Sequence, residues 1–172
     1  SDLIIPVPDS GVPAAIGYAE EVKKNTELGI IRNHYVGRTF IEPTQSIRSL
    51  GVKLKHNINK PLVKGKSIIL VDDSLVRGTT SVKLIQMLFE SGVKEVHLRI
   101  AAPPIKYPDY YGVDTPHHNE LLANKFSLEE MRKFLNATTL EFLSIDGLYL
   151  SMGCKKRNEA YPQFTDHCFT GE

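Results

Sequence analysis

The sequence predicts an α/β fold, a mostly parallel twisted sheet flanked by helices, and three observations carry that prediction. Ile68, Ile69, Leu70 and Val71 form a short continuous apolar run, as a strand buried on both faces requires. The run stops at Asp72 and Asp73 and, after a turn at Arg77 and Gly78, gives way to a helical stripe of Val82, Leu84, Ile85, Leu88 and Phe89 that ends at Gly92. Val96, Leu98, Ile100 and Ala101 then make a further strand closed by Pro103 and Pro104. Strand, helix, strand in that order is a parallel crossover.

The flanking elements follow the same rules. Leu3, Ile4, Ile5 and Val7 make a first strand interrupted by Pro6 and Pro8, and Asp9, Ser10 and Gly11 form the turn after it. Pro13, at a first helical position, opens a helix through Ala14, Ala15, Ile16, Tyr18, Ala19 and Val22. Alone, that turn is an ordinary one. Beside the strand at Ile68 it becomes a second anion-binding loop, since another helix N-terminus then faces the same crevice. Further on, Ser127 to Glu130 matches a capping box, and Leu128, Met131, Phe134 and Leu135 supply one apolar helical face expected in the core. Tyr107, Tyr110 and Tyr111, set among prolines, suit base stacking and surface turns equally well. His117 and His118 are adjacent, which is not the spacing of zinc ligands on a helix.

Composition sets the outer limits. A chain of 172 residues that is 41% hydrophobic suits one globular domain with a real core. We expect that domain over residues 1–153, with 154–172 as a C-terminal tail. Lys plus Arg is 21 against 20 for Asp plus Glu, so no basic excess points to nucleic acid, and no apolar run approaches the length of a membrane span. The 2 cysteines, Cys154 and Cys168, lack CxxC spacing, which argues against a disulfide framework or zinc site and for a reduced, cytoplasmic setting. The chain begins at Ser1 and enters a strand almost at once, the expectation for a fragment.

The order of residues around Asp72 describes a site for a phosphorylated sugar. Ligands of open α/β sheets bind beyond the carboxyl ends of the strands. There Asp72 and Asp73 can accept hydrogen bonds from sugar hydroxyls or hold the water shell of Mg²⁺. Arg77, Gly78, Thr79, Thr80 and Ser81 bring free backbone N–H groups, hydroxyls and a glycine that permits close approach, an anion cradle suited to a terminal phosphate. Ahead of this strand, residues 32–66 hold Arg32, Arg38, Arg48, Lys53, Lys55, Lys60, Lys64 and Lys66 against a single acid, Glu42. Such runs are commonly solvated surface. A long irregular connection inside a compact domain is uncommon unless it is a lid, and cations folded over an anionic leaving group neutralise it and exclude water. We expect a flexible lid loop at about 38–66.

The stretch SIILVDDSLVRGTTS resembles the signature of the type I phosphoribosyltransferases. PVPDSG, RNHYVGRTFIEPTQSIR, APPI and DYYGVDTP extend the likeness to the glutamine phosphoribosylpyrophosphate amidotransferases, from about residue 3 to the end. The resemblance implies a type I phosphoribosyltransferase fold and an amidophosphoribosyltransferase activity in purine (IMP) synthesis. That enzyme is a glycosyltransferase that makes 5-phosphoribosylamine and pyrophosphate from phosphoribosylpyrophosphate and ammonia. It implies Mg²⁺ at Asp72 and Asp73, and substrate binding by Asp9, Ser10, Gly11, Asp72, Asp73, Ser74, Arg77, Gly78, Thr79, Thr80 and Ser81. The catalytic set is Asp72 and Asp73 with the lid cations Arg38 and Lys53, and Arg38, Thr39 and Phe40 open the lid. Relatives often carry Ser at the place of Gly11. Some relatives also hold an iron–sulfur cluster, but Asp109 and Thr165 stand where those have cysteines, so no cluster is expected here. An N-terminal glutaminase domain is absent from this sequence; a homo-oligomer and purine nucleotide feedback inhibitors are expected from the family. A nucleobase phosphoribosyltransferase and a non-catalytic sensor of phosphoribosylpyrophosphate are the alternatives.

Overall fold

The computed structural model describes residues 1–34, 55–110 and 115–172. In chain order these form β1 (Leu3–Pro6), α1 (Val12–Glu21), β2 (Ile30–Arg32), β3 (His56–Ile58), α2 (Lys60–Val63), β4 (Ser67–Asp72), α3 (Thr79–Glu90) and β5 (Glu95–Ile100). A 3-10 turn, His118–Glu120, then leads to α4 (Leu122–Lys125), α5 (Leu128–Leu135), β6 (Thr139–Phe142), α6 (Ile145–Ser151) and α7 (His167–Thr170).

A 4-stranded parallel sheet runs in the order β1-β4-β5-β6, and β2 and β3 pair antiparallel beside it. Its register puts Leu3 opposite Ile68 and Pro6 opposite Val71, and carries Asp72 level with Ile100. Because side chains alternate across a strand, each strand of the pair serves both faces. Ile4, Ile69 and Val71 meet Ala15 and Ala19 of α1 on one side. Ile5, Val7, Ile68 and Leu70 join Leu84, Ile85 and Leu88 of α3 and Met131 and Leu135 of α5 on the other. Burial on both faces explains why the β4 sequence is continuously apolar. Each such fully buried aliphatic side chain contributes about 1.5–3 kcal/mol.

The strands and helices expected from the sequence at β1, α1, β4, α3, β5 and α5 are present, and the parallel, helix-flanked sheet expected is the architecture observed. Two expectations change. The apolar face of α5 is narrower than its stripe: Met131 and Leu135, one turn apart, are buried, whereas Leu128 and Phe134 are about half exposed at its margins, Phe134 stacking on Phe126 at 5.3 Å. The capping box is made as expected, Glu130 N–H donating to Ser127 Oγ and Ser127 N–H to Glu130 Oε2. The second change concerns the lid. Its C-terminal third is part of the body, since β3 and α2 place Ile58 and Val63 in the main core, and Lys55 and His56 are themselves buried. Ile58, Leu62 and Val63 are the apolar residues that draw this piece inward. The rest of the expected lid, with Arg38, Thr39, Phe40 and Lys53, lies outside the described residues, as does Tyr111.

The tail is drawn together by an ion pair and tied to the body by hydrogen bonds from Tyr149 and from the Lys106 and Tyr107 amides, which donate to the Cys168 carbonyl. Asp166, 4% exposed, accepts from Arg157 Nε at 2.6 Å and from the Tyr149 hydroxyl at 2.9 Å. Hydrogen bonds to Arg157, Tyr149 and Thr170 outweigh burial and hold the Asp166 carboxyl below the usual range. Both cysteines are free. Among the described residues no helix is long and apolar enough to cross a membrane.

Candidate functional site

Parallel pairing of β1 with β4 brings their carboxyl ends side by side, so the turn after β1 and the turn after β4 share one edge of the sheet. Val7 N–H donates to the Val71 carbonyl at 2.8 Å, carrying the contact one residue past the strand. The sheet therefore assembles the two loops that the sequence singled out, from residues far apart in the chain.

In the second loop Asp72 ends β4 and is buried, while Asp73 is exposed. Asp73 N–H donates to Asp72 Oδ1 at 2.9 Å. Burial, reinforced by the hydrogen bond to the Asp73 side chain and its negative charge, pushes the Asp72 carboxyl up to about 8. At neutral pH, with nothing bound, Asp72 thus favours its protonated form. An approaching cation or a developing positive charge reverses that preference, because opposite charge favours the carboxylate. Among the described residues no group of three His, Cys, Asp or Glu side chains is arranged around a metal ion. A pair of adjacent acids fits instead the way Mg²⁺ is commonly held, through one or two carboxylates with substrate phosphates and water completing the shell.

The loop then turns through Ser74, Leu75, Val76 and Arg77 to Gly78, which precedes α3 at φ 75°, the left-handed region. Leu75 is buried and Arg77 exposed. A Cβ on Gly78 would lie 3.1 Å from Leu122 Cδ2 and 3.2 Å from Leu135 Cδ2. The glycine is therefore demanded by backbone dihedral and by packing against the core, rather than by room for an approaching phosphate. Thr80 is exposed and Thr79 half-buried, but Ser81 lies on the buried stripe with Leu84, Ile85 and Leu88. The cradle thus offers the hydroxyls of Thr79 and Thr80, together with the first-turn amides of α3.

In the first loop Asp9 and Ser10 are exposed and Gly11 is buried. A Cβ on Gly11 would fall 2.4 Å from the Val71 carbonyl oxygen and 2.8 Å from that of Val7. Gly11 fits the loop down onto β4, and a serine there needs the backbone to move. Asp9 Oδ2 accepts from Arg32 Nη1 at 2.5 Å. Arg32 ends β2, and this contact, formed across the chain fold, gives it a place in the site that its position in the basic run did not single out.

Among the described helices longer than four residues, capping separates this edge from the rest, while the four-residue helices α2, α4 and α7 also lack a side-chain cap. α1 and α3, whose N-termini follow the two loops, have no side-chain cap and no acid in the first turn. α5 and α6 are capped by Ser127 and Ser144 and carry Glu129, Glu130 and Asp146 in their first turns. Orphan N–H groups of an uncapped N-terminus remain available to an anion.

These features define an α/β protein that gathers acids, hydroxyls and the free amides of two uncapped helices beyond the tips of β1 and β4. Residues 1–123 match the phosphoribosyl transferase domain. The chain belongs to that family. It is 58% identical over 173 residues to an amidophosphoribosyltransferase of Rhizobium etli, covering 100% of this chain and 35% of the relative. Against that of Bacillus subtilis it is 48% identical over 172 residues, covering 100% of this chain and 36% of the relative. A solved structure of glutamine phosphoribosylpyrophosphate amidotransferase from B. subtilis, complexed with ADP and GMP, superposes with a TM-score of 0.84 at 47% identity, over 99% of this chain and 37% of that one. The chain spans about a third of the length of these relatives.

Proposed function

We propose that this chain is the phosphoribosyltransferase part of an amidophosphoribosyltransferase, forming 5-phosphoribosylamine and pyrophosphate from phosphoribosylpyrophosphate and ammonia. The observation that carries the reading is the loop after β4: two adjacent acids at a strand tip, one exposed and one buried, followed by a left-handed glycine that opens an uncapped helix. In the whole enzyme glutamine supplies the ammonia through a separate glutaminase domain, and the product enters purine (IMP) synthesis.

Ser74 and the amides and hydroxyls at Gly78 to Thr80 hold the 5-phosphate, with the Ser81 amide completing the first turn. That grip on a remote group positions C1 of the ribose. Asp9, Ser10 and Gly11 face the pyrophosphate, and the lid cations Arg38 and Lys53 cover it. Asp72 and Asp73 hold the ribose hydroxyls and favour positive charge on the sugar as the C1–O bond to pyrophosphate breaks. Ammonia attacks C1 from the opposite face, the C1–N bond forms with inversion, and the surplus ammonium proton passes to solvent. Mg²⁺, when bound at Asp72 and Asp73 with the substrate, supplies neutralisation of the departing pyrophosphate.

The reading includes no iron–sulfur cluster. Such a cluster needs about four thiolates, and the chain has 2 cysteines. Burial, then the charge of Asp109, raises the Cys168 thiol above its ordinary value, disfavouring the thiolate a cluster requires. Assembly as a homo-oligomer and control by purine nucleotides, the latter in keeping with the ADP and GMP complex of the B. subtilis enzyme, belong to the same proposal. So does a cytoplasmic setting, although plant relatives are named as chloroplastic.

The test is pyrophosphate release from phosphoribosylpyrophosphate and Mg²⁺ at mildly alkaline pH, with ammonium salt, with glutamine, or with neither. Release that requires ammonium and ignores glutamine is expected. Release that instead requires a free purine or pyrimidine assigns the chain to nucleobase transfer, and binding without turnover under any condition assigns it to sensing.

A further inference from the structure

Arg77 stands in the loop given above to the 5-phosphate, yet its guanidinium is already engaged. Its Nε donates to Glu120 Oε2 at 2.9 Å, across 43 positions of sequence. The residues on either side of it are seated on the same stretch of chain. Leu122 N–H donates to the Val76 carbonyl at 2.8 Å. Gly78 is pressed so closely on Leu122 and Leu135 that a methyl group there crowds both. Val76, Arg77 and Gly78 are thus each fastened to the segment that begins at the 3-10 turn, by a backbone hydrogen bond, an ion pair and an apolar contact.

From these contacts we infer that Arg77 is a positioning residue: paired with Glu120, it holds the phosphate loop on the 118–122 segment and does not itself grip the phosphate. The inference rests on the reading of this crevice as a phosphoribosylpyrophosphate site. A loop whose amides must converge on a phosphate gains from being held in place before the ligand arrives, since ordering it afterwards subtracts from affinity. The backbone bond at Val76 and the packing at Gly78 fix two points of the loop, and the Arg77–Glu120 pair fixes the point between them. Both side chains are about two-fifths exposed, so the pair is screened and its effect is modest. A direct phosphate contact by Arg77 has the opposite consequence for Glu120. The carboxylate is then a competitor for the guanidinium, and its removal strengthens binding.

The experiment is calorimetric titration of the chain with phosphoribosylpyrophosphate in Mg²⁺ for wild type, Arg77→Met, Glu120→Gln and the double variant, with amide exchange of residues 74–80 and ammonium-dependent kinetics in parallel. Each single variant is expected to weaken binding about 3- to 5-fold, as an exposed ion pair allows. The double variant is expected to be no weaker than the weaker single one, exchange in the loop to quicken in all three, and KM to rise with kcat little changed. Glu120→Gln that binds as well as wild type or better, or losses that multiply in the double variant, overturn the inference while leaving the site intact. Folded wild-type protein that binds no phosphoribosylpyrophosphate overturns the reading of the site, and the inference with it.

Discussion

The two loops at the sheet edge solve one problem in different ways. The loop after β4 is built into the body: Leu75 and Gly78 are buried, and Val76 and Arg77 are tied to residues beyond β5. Among the described residues, the loop after β1 packs on its neighbours chiefly at its base. Gly11 sits on the Val71 carbonyl, while Asp9 and Ser10 are exposed and the Arg32–Asp9 pair is the restraint on the outer part. Both lead into helices without side-chain caps. The difference teaches that the β4 loop is the more preorganised of the two. Under the function proposed above, that suits a phosphate that stays attached to the sugar, and the more exposed β1 loop suits a pyrophosphate that must leave.

Predictions that break or sharpen this comparison begin at the acids. Replacing Asp72 and Asp73 together with Asn is expected to lower ammonium-dependent turnover by roughly 100-fold or more, the scale of losing groups that meet developing charge. Circular dichroism should show the fold retained. A double variant with full activity removes the acids from the chemistry. Next come the glycines. Gly11→Ala drives a Cβ into the backbone carbonyl oxygens of Val71 in β4 and Val7 just past β1, which yield less readily than side chains, and is expected to cost about 3 kcal/mol in denaturant unfolding. Gly78→Ala meets side-chain carbons that can shift but must adopt φ 75°, and is expected to cost roughly 2 kcal/mol. The β4 loop being the preorganised one, Gly78→Ala should weaken substrate binding more than its smaller stability cost suggests. The reverse order of binding losses contradicts the contrast.

Asp72 also gives a pH signature. Its folded carboxyl is raised from 3.8 to about 8, so the folded state binds the extra proton between those values and wild-type stability falls as pH rises through that window. Asp72→Asn removes the slope. Its melting temperature is expected to match that of wild type near pH 4 and to exceed it by roughly ten degrees or more at pH 8. A constant difference across the window places Asp72 in water rather than in the protein. The smallest effect belongs to Arg32. Its pair with Asp9 is partly exposed, so Arg32→Met should change stability by less than about 1 kcal/mol. It should raise KM for phosphoribosylpyrophosphate at low salt and do so less at high salt, because an unneutralised Asp9 repels the anion and salt screens the repulsion.

Much of this arrangement was legible before the fold was known, for physical reasons. β4 is buried on both faces, so its apolar run is unbroken. α3 buries one stripe, so its periodicity is plain. The crossover rule then places β5 beside β4. β2, β3 and β6 span only three or four residues each, too short for alternation to register. The pairs that distinguish the two loops, Arg32 with Asp9 and Arg77 with Glu120, join residues 23 and 43 positions apart and depend on the fold itself. Gly78 was legible as a glycine that mattered, though its reason is the packing of Leu122 and Leu135 against it, which no local pattern contains. Ser81 read as a third cradle hydroxyl because it extends a polar run, yet helical spacing aligns it with Leu84, Ile85 and Leu88 on the buried side.

The most direct measurement is the map of backbone amide shifts when phosphoribosylpyrophosphate and Mg²⁺ are titrated into the isotope-labelled chain. The account predicts the largest changes at the amides of 74–81, with a second group at 9–12. Changes concentrated elsewhere, for example in the surface cavity bordered by Lys155, Lys156 and Glu159 of the tail, with the two loops unmoved, contradict it.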